Sequence, residues 1–247
     1  MSEQQRLDKF LSSQGVGSRS EVRKLIGKGK VCVNGKTVNN KEYKVDIQTD
    51  HITVDGIEII YKKYIYLLMD KPSGVVCAVS DRTEKTVIDI LPEEYRRKGL
   101  FPVGRLDKDT QGLLIITNDG DFAHRITSPK THLYKTYHAV IDSGISQEDI
   151  QAFESGIVFK DGTKCQKAFL KPLEEGKNPL VEVRICEGMF HQVKKMLLTR
   201  GKKVLFLKRT AIGNMTLDSI LNKRRFVEMN YLEIKGRIFD NLHEIHC

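Results

Sequence analysis

The five cysteines of this chain, at positions 32, 77, 165, 186 and 247, are odd in number, scattered and never spaced as C-x-x-C. That pattern argues against a disulfide framework and against a zinc site. Four of them are expected to pack as small hydrophobes in strands, with Cys247 a thiol at the chain end. No apolar run approaches the roughly 18 residues that span a bilayer. The opening MSEQQRLDKF is polar and lacks the apolar stretch of a signal peptide, so a cytoplasmic protein is expected. Internal repeats, low-complexity segments, paired histidines and clustered carboxylates are missing too, and the last two absences disfavour metal-assisted hydrolysis. Acid is also in deficit: 32 Asp and Glu stand against 41 Lys and Arg, a formal charge of +9. Counterion release favours binding of such a protein to a polyanion, so a nucleic-acid partner is the natural inference.

What is present divides in two. With 247 residues and a hydrophobic fraction of 40%, the chain can bury one large core, or an ordinary one plus a small one. Residues 1–60 read as the small unit. Leu7, Phe10 and Leu11 share one helical face, and Ser18-x-x-Glu21 has capping-box spacing ahead of a second helix with Val22, Leu25 and Ile26 on its apolar side. Gly27 and Gly29 end that helix. Val31 and Val33 then alternate into Asn34-Gly35, a strong hairpin signal, and Asp55-Gly56 repeats the device between two later strands. Residues 1–36 hold eight Lys or Arg and three Asp or Glu. Arg19 and Arg23 lie one turn apart, followed by Lys24 and Lys28. On charge alone this is equally a solvated helix face.

Residues 61–247 form the larger part, with residues 61–63 as a linker. An apolar strand at 65–69 ends in Asp70-Lys71-Pro72-Ser73-Gly74, where Pro and Gly force a turn. Residues 104–120, GRLDKDTQGLLIITNDG, run from a charged loop into a buried strand at 112–117. The strand closes on Asn118-Asp119-Gly120, turn residues that tolerate positive φ. Asp107 sits at the mouth of this strand between Arg105 and Lys108, with Asp109 close behind, a placement suited either to chemistry or to an ordinary salt-bridged loop. Further strands are expected at 134–141, 180–186, 226–229 and 231–234, and a helix at 147–153. Residues 194–209 carry seven Lys or Arg and no acid, which reads as a second basic patch. The tail from Gly236 is expected to be peripheral.

The order of residues narrows this. G-R-L-D-x-x-T-x-G-L-L followed by T-N-D-G, Lys135-Thr136-Tyr137 as a K-x-Y element, and Glu187-Gly188-Met189-Phe190-His191-Gln192-Val193-Lys194-Lys195-Met196 resemble three motifs of the ribosomal RNA pseudouridine synthases. Lys195 stands where Arg is commoner in that family, and Asp70 where some members have Asn. RLDKFL at residue 6 and SRSEVRKLI followed by V-x-V-N-G resemble the S4 RNA-binding domain. His124 to Pro129, HRITSP, is closer to the branch that modifies small-subunit RNA.

The resemblance implies an α+β chain: an S4 domain over residues 1–60 and a catalytic domain over 61–247 with a mixed, mostly antiparallel sheet. It implies isomerisation of one uridine in small-subunit (16S) ribosomal RNA, with a large-subunit (23S) target or a non-catalytic RNA-binding role in ribosome assembly as alternatives. No cofactor is implied, because the reaction has no redox change and no group donor. Asp107 would be the essential carboxylate, kept ionised by Lys194. Tyr137 would lie against the uracil, and Arg105 would fill the gap left by the flipped nucleotide. Arg19, Arg23, Lys24, Lys28, His191, Gln192 and Lys195 would contact RNA. A monomer is expected.

Overall fold

Two short turn motifs shape the N-terminal part of the chain. In the computed structural model, which describes residues 4–96, 99–221 and 225–240, residues 1–64 with 88–100 form one unit and residues 65–87 with 101–247 another. The first unit opens with β1 (Gln4–Arg6), paired antiparallel with the later β4 (Lys44–Asp46). Helices α1 (Leu7–Ser13) and α2 (Arg19–Gly27) follow, and the Ser18/Glu21 capping box forms as the spacing predicts. Strands β2 (Val31–Val33) and β3 (Lys36–Thr37) are joined at Asn34-Gly35, both at positive φ (51° and 77°). Strands β5 (Ile52–Val54) and β6 (Ile57–Glu58) are joined likewise at Asp55-Gly56 (48° and 80°). Positive φ at both central residues is the type I′ geometry that matches strand twist. The resulting sheet, in order β3-β2-β5-β6, packs Val31, Val33, Ile52 and Val54 with the apolar faces of both helices. The short helix α3 (Glu93–Arg96) belongs to this unit as well.

The second unit is built on a sheet of order β11-β12-β10-β13-β9-β7-β15. Its members are β7 (Tyr66–Lys71), β9 (Gln111–Thr117), β10 (Lys135–Ile141), β11 (Phe169–Glu174), β12 (Leu180–Ile185), β13 (Val204–Ile212) and β15 (Phe226–Met229). Two small strands, β8 (Phe101–Pro102) and β14 (Met215–Thr216), pair with β9 and β13. Every described pairing among them is antiparallel except β9 with β13, so the sheet is mixed and mostly antiparallel and the fold is α+β. Strands β7 and β9 are buried on both faces, as their continuous apolar runs require. Strands β10 and β12 alternate. One core packs β7 and β9 with α4 (Gly120–Thr127), α7 (Leu217–Leu221) and α8 (Tyr231–Phe239); the other packs β10 and β12 with α5 (Gln147–Ser155) and α6 (Gln192–Thr199).

Several expectations need correction. Asp119 does not turn at positive φ; at φ −95° it caps α4, accepting from the Phe122 amide at 3.1 Å. Residues 231–234 are helix rather than strand, because Asn230 caps α8 by accepting from Glu233 N at 2.9 Å. That helix carries the chain past Gly236, with Ile234 and Ile238 fully buried, so the part of the tail up to Asp240 is docked in the core. Of the cysteines only Cys32 lies in a strand; Cys165 and Cys186 are buried outside strands, Cys77 is half-buried, and Cys247 lies outside the described residues.

Candidate active site

Lys71, the last residue of β7, is wholly buried, and the geometry of the site starts from it. Four carbonyl oxygens share its three N–H donors: Thr110 at 2.8 Å, Pro72 at 3.0 Å, Asp107 at 3.1 Å and Lys108 at 3.2 Å. Three of the four belong to the loop before β9, so one buried cation gathers that loop's backbone into a fixed turn. Burial pulls the Lys71 ammonium below its ordinary pKa. Around it, Gly74 N donates to Lys108 O at 2.8 Å, Thr110 N to Asp107 O at 3.1 Å, and Leu106 N to Cys77 Sγ at 3.3 Å. A loop pinned at so many backbone atoms presents the Asp107 side chain in one place, about a quarter exposed (23%).

The second half of the site is the start of α6. Gln192 is buried; its amide oxygen accepts from Met189 N at 2.9 Å and its amide nitrogen donates to Glu187. This brace folds residues 187–192 into a turn, and His191 takes the left-handed conformation at φ 53°. Its side chain makes no cap bond to the helix. The imidazole Nε2 instead lies 3.4 Å from Asp107 Oδ1. One helical turn on, Lys194 Nζ lies 3.1 Å from Asp107 Oδ2 and 2.6 Å from Asp109 Oδ1. Burial lowers the Lys194 pKa, but the two carboxylates outweigh it and the net direction is upward. The same contact holds the Asp109 carboxyl below the usual range, chiefly through its hydrogen bond to Lys194. Asp107 therefore shares its cation with a second, exposed acid.

Tyr137, buried on β10, lines one cavity of about 60 Å³ together with Arg105, Asp107, His191 and Lys194. The sheet accounts for this convergence: β10 pairs with β13, and β13 pairs with β9, whose leading loop carries Asp107. Arg105 is exposed there, without an ion-pair partner among the described residues. Lys195 is exposed on α6, its Nζ over the Phe190 and Phe159 rings at 5.1 and 5.8 Å. Gln192, expected at RNA, instead spends its amide on the turn itself. Arg19, Arg23, Lys24 and Lys28 belong to the N-terminal unit and are all exposed; Arg23 Nε is held at 3.0 Å by the buried Asp8 carboxylate.

Lys71 and Asp109 have site roles that the sequence reading did not give them. For Lys71 the available signal was a lysine two residues beyond a continuous apolar run, where an ammonium must find carbonyls. For Asp109 it was the i+2 spacing from Asp107. The second basic patch at 194–209 is only partly free charge. Arg200 and Lys202 reach Asp149 at 2.8 and 3.7 Å, Lys208 reaches Asp70 at 3.1 Å, Lys194 is on Asp107, and Arg209 is buried with Nε donating to Leu113 O at 2.8 Å. Acids distant in sequence thus pair with four of the seven cations, while Lys195 and Lys203 are exposed without an ion-pair partner among the described residues.

Residues 65–199 match the family described as RNA pseudouridylate synthase, and residues 5–52 match the S4 domain. An uncharacterized RNA pseudouridine synthase of Bacillus subtilis, YtzG, is 42% identical over 93% of this chain and 96% of its own. Ribosomal large subunit pseudouridine synthase B of Bacillus subtilis is 38% identical, covering 87% and 88% of the two chains. Ribosomal small subunit pseudouridine synthase A of Pasteurella multocida is 36% identical, covering 93% and 97%. A crystal structure of a pseudouridylate synthase superposes with a TM-score of 0.64 at 32% identity, covering 94% of this chain and 99% of that one.

Proposed function

The chain belongs to the RNA pseudouridylate synthase family, and from that premise we propose that it isomerises one uridine of small-subunit ribosomal RNA, with Asp107 as the essential carboxylate. The coarser statement follows from the family: the protein is an RNA pseudouridine synthase, an isomerase, and it carries an S4 domain. The observation that carries the finer reading is the Asp107 carboxylate itself, 3.1 Å from Lys194 and 3.4 Å from His191 on a cavity wall shared with Tyr137.

In the reaction the bond from N1 of uracil to C1′ of ribose breaks and one from C5 to C1′ forms; C5 loses a proton and N1 gains one. The carboxylate of Asp107 serves the sugar, either bonding to C1′ or taking the C2′ proton, and both roles require its ionised form. Lys194 sets a cation 3.1 Å from that carboxylate. Tyr137 offers a flat wall and a hydroxyl beside the detached base. Arg105, exposed and without an ion-pair partner among the described residues, is suited to fill the gap in the stack once the nucleotide is extruded. HRITSP and the small-subunit relative support the choice of RNA; the large-subunit relative supports the rival target.

Pseudouridine mapping by carbodiimide labelling and primer extension, in cells lacking this protein, tests both parts. One small-subunit site should disappear and return with the wild type but not with Asp107→Asn, while the variant's RNA affinity stays within about twofold. A missing large-subunit site would replace the target, and restoration by Asp107→Asn would remove that residue from the chemistry.

A further inference from the structure

Phe190 is the most exposed phenyl ring among the described residues, 67% accessible, in a turn whose other side chains are occupied. Isolated exposed apolar residues are ordinary on protein surfaces. This one is held differently. The left-handed backbone at His191 (φ 53°) brings two successive side chains to the same side, so that the phenyl and imidazole rings stack at 3.8 Å between centroids and 19° between planes. Non-glycine residues in that conformation are uncommon, and such strain collects at functional sites. The imidazole is in turn 3.4 Å from Asp107, so Phe190 stands one ring away from the carboxylate assigned to the chemistry. Lys195 Nζ lies over the phenyl ring, 5.1 Å from its centroid, on a flexible stem that can swing off that face toward the phosphate of an incoming nucleotide.

We propose that Phe190 is a stacking platform for the nucleobase that flanks the target uridine, with His191 fixing the ring's orientation and Lys195 taking that nucleotide's phosphate. The proposal rests on the reading of Asp107 as the reacting group. An aromatic face accepts any base, so it supplies hold and placement rather than sequence choice. Extruding the uridine also leaves its neighbours unstacked on one side, and a fixed ring of this kind replaces a lost stacking partner. Phe190 is a positioning residue, and its removal acts on substrate capture.

Two measurements decide it. Tritium release from transcripts of both ribosomal RNAs, labelled at C5 of uridine, gives KM and kcat for wild type, Phe190→Ala and Phe190→Tyr. Phe190→Ala should raise KM about tenfold, equivalent to about 1.4 kcal/mol, with kcat within twofold, and Phe190→Tyr should restore KM. An unchanged KM, or equal losses of kcat in both variants, overturns the proposal. Separately, a single-stranded RNA nonamer with 2-aminopurine at its centre is titrated with each protein. Its fluorescence should be quenched by wild type and Phe190→Tyr but not by Phe190→Ala; equal quenching by all three overturns the platform. If the wild type releases no tritium from either RNA, the proposed function fails, and the quenching still decides the role of Phe190.

Discussion

Two buried lysines in the catalytic unit show how differently the same side chain can be satisfied. Lys71 has four carbonyl oxygens around its ammonium, whereas Lys135 has one long contact, to Cys186 O at 3.4 Å. Burial, with Arg209 adding like charge, pulls the Lys135 pKa from 10.5 down to about 8. Below about pH 8 both folded and unfolded chains hold the proton, and the fold bears the cost of an under-solvated charge. Between about 8 and 10.5 the unfolded chain binds a proton that the folded chain has shed, so stability attributable to this group rises with pH. Lys135→Met removes that rise. The stability of wild type relative to the variant should climb by about 3 kcal/mol from pH 7 to pH 10.5, other titrations being common to both. Urea unfolding at a series of pH values measures it, and a pH-independent difference would sink the assignment. None of this was legible in the sequence, where Lys135 was only the first letter of a K-x-Y element.

The seam between β9 and β13 is where the elements depend most on one backbone atom. Gly112 has φ 110°, and a Cβ placed there would meet the Arg209 carbonyl oxygen closer than any real contact. Gly112 also makes the parallel pairing with Arg209 that joins the β7/β9 half of the sheet to the β10/β12 half. Gly112→Ala must therefore shift backbone, with no flexible side chain to absorb the change, and should cost at least about 3 kcal/mol or prevent folding. The denaturation midpoint of the purified variant checks this; a loss below 1 kcal/mol would show that the seam yields. At this scale the sequence was partly readable. Helices and hairpins announced by caps and Asn-Gly or Asp-Gly turns formed where expected, since those signals are local. Strand β13 was missed because its lysine and arginine were counted as surface charge, yet Lys208 donates to Asp70 and Arg209 Nε to Leu113 O across the sheet. Helix α8 was read as a strand from Tyr231 to Ile234, although Asn230-x-x-Glu233 already held a helix start.

Across the whole molecule, an excess of nine positive charges says less than which cations are free. The three motifs converge on one cavity because strand pairing carries Tyr137, Asp107 and Lys194 together, a long-range fact that motif order hinted at and only the sheet explains. Charge behaves the opposite way: a run rich in Lys and Arg is visible in sequence, but its neutralising acids are not. Arg200, Lys202 and Lys208 have carboxylate partners, whereas Arg19, Lys24 and Lys28 are exposed without an ion-pair partner among the described residues. Only an unpaired cation displaces counterions fully when it meets a phosphate, and each such contact contributes about 0.7 to 0.9 to the slope of log affinity against log salt. Replacing Arg19, Lys24 and Lys28 by alanine should therefore flatten that slope by about 2 to 3 in filter binding of ribosomal RNA, with the unfolding temperature unchanged. The matching triple at Arg200, Lys202 and Lys208 should lower the unfolding temperature, because it strands the buried Asp149, and change the slope by less than about 1. Equal flattening by both triples would mean that RNA draws the paired cations away from their acids, and the N-terminal unit would lose its distinct role as the electrostatic foothold.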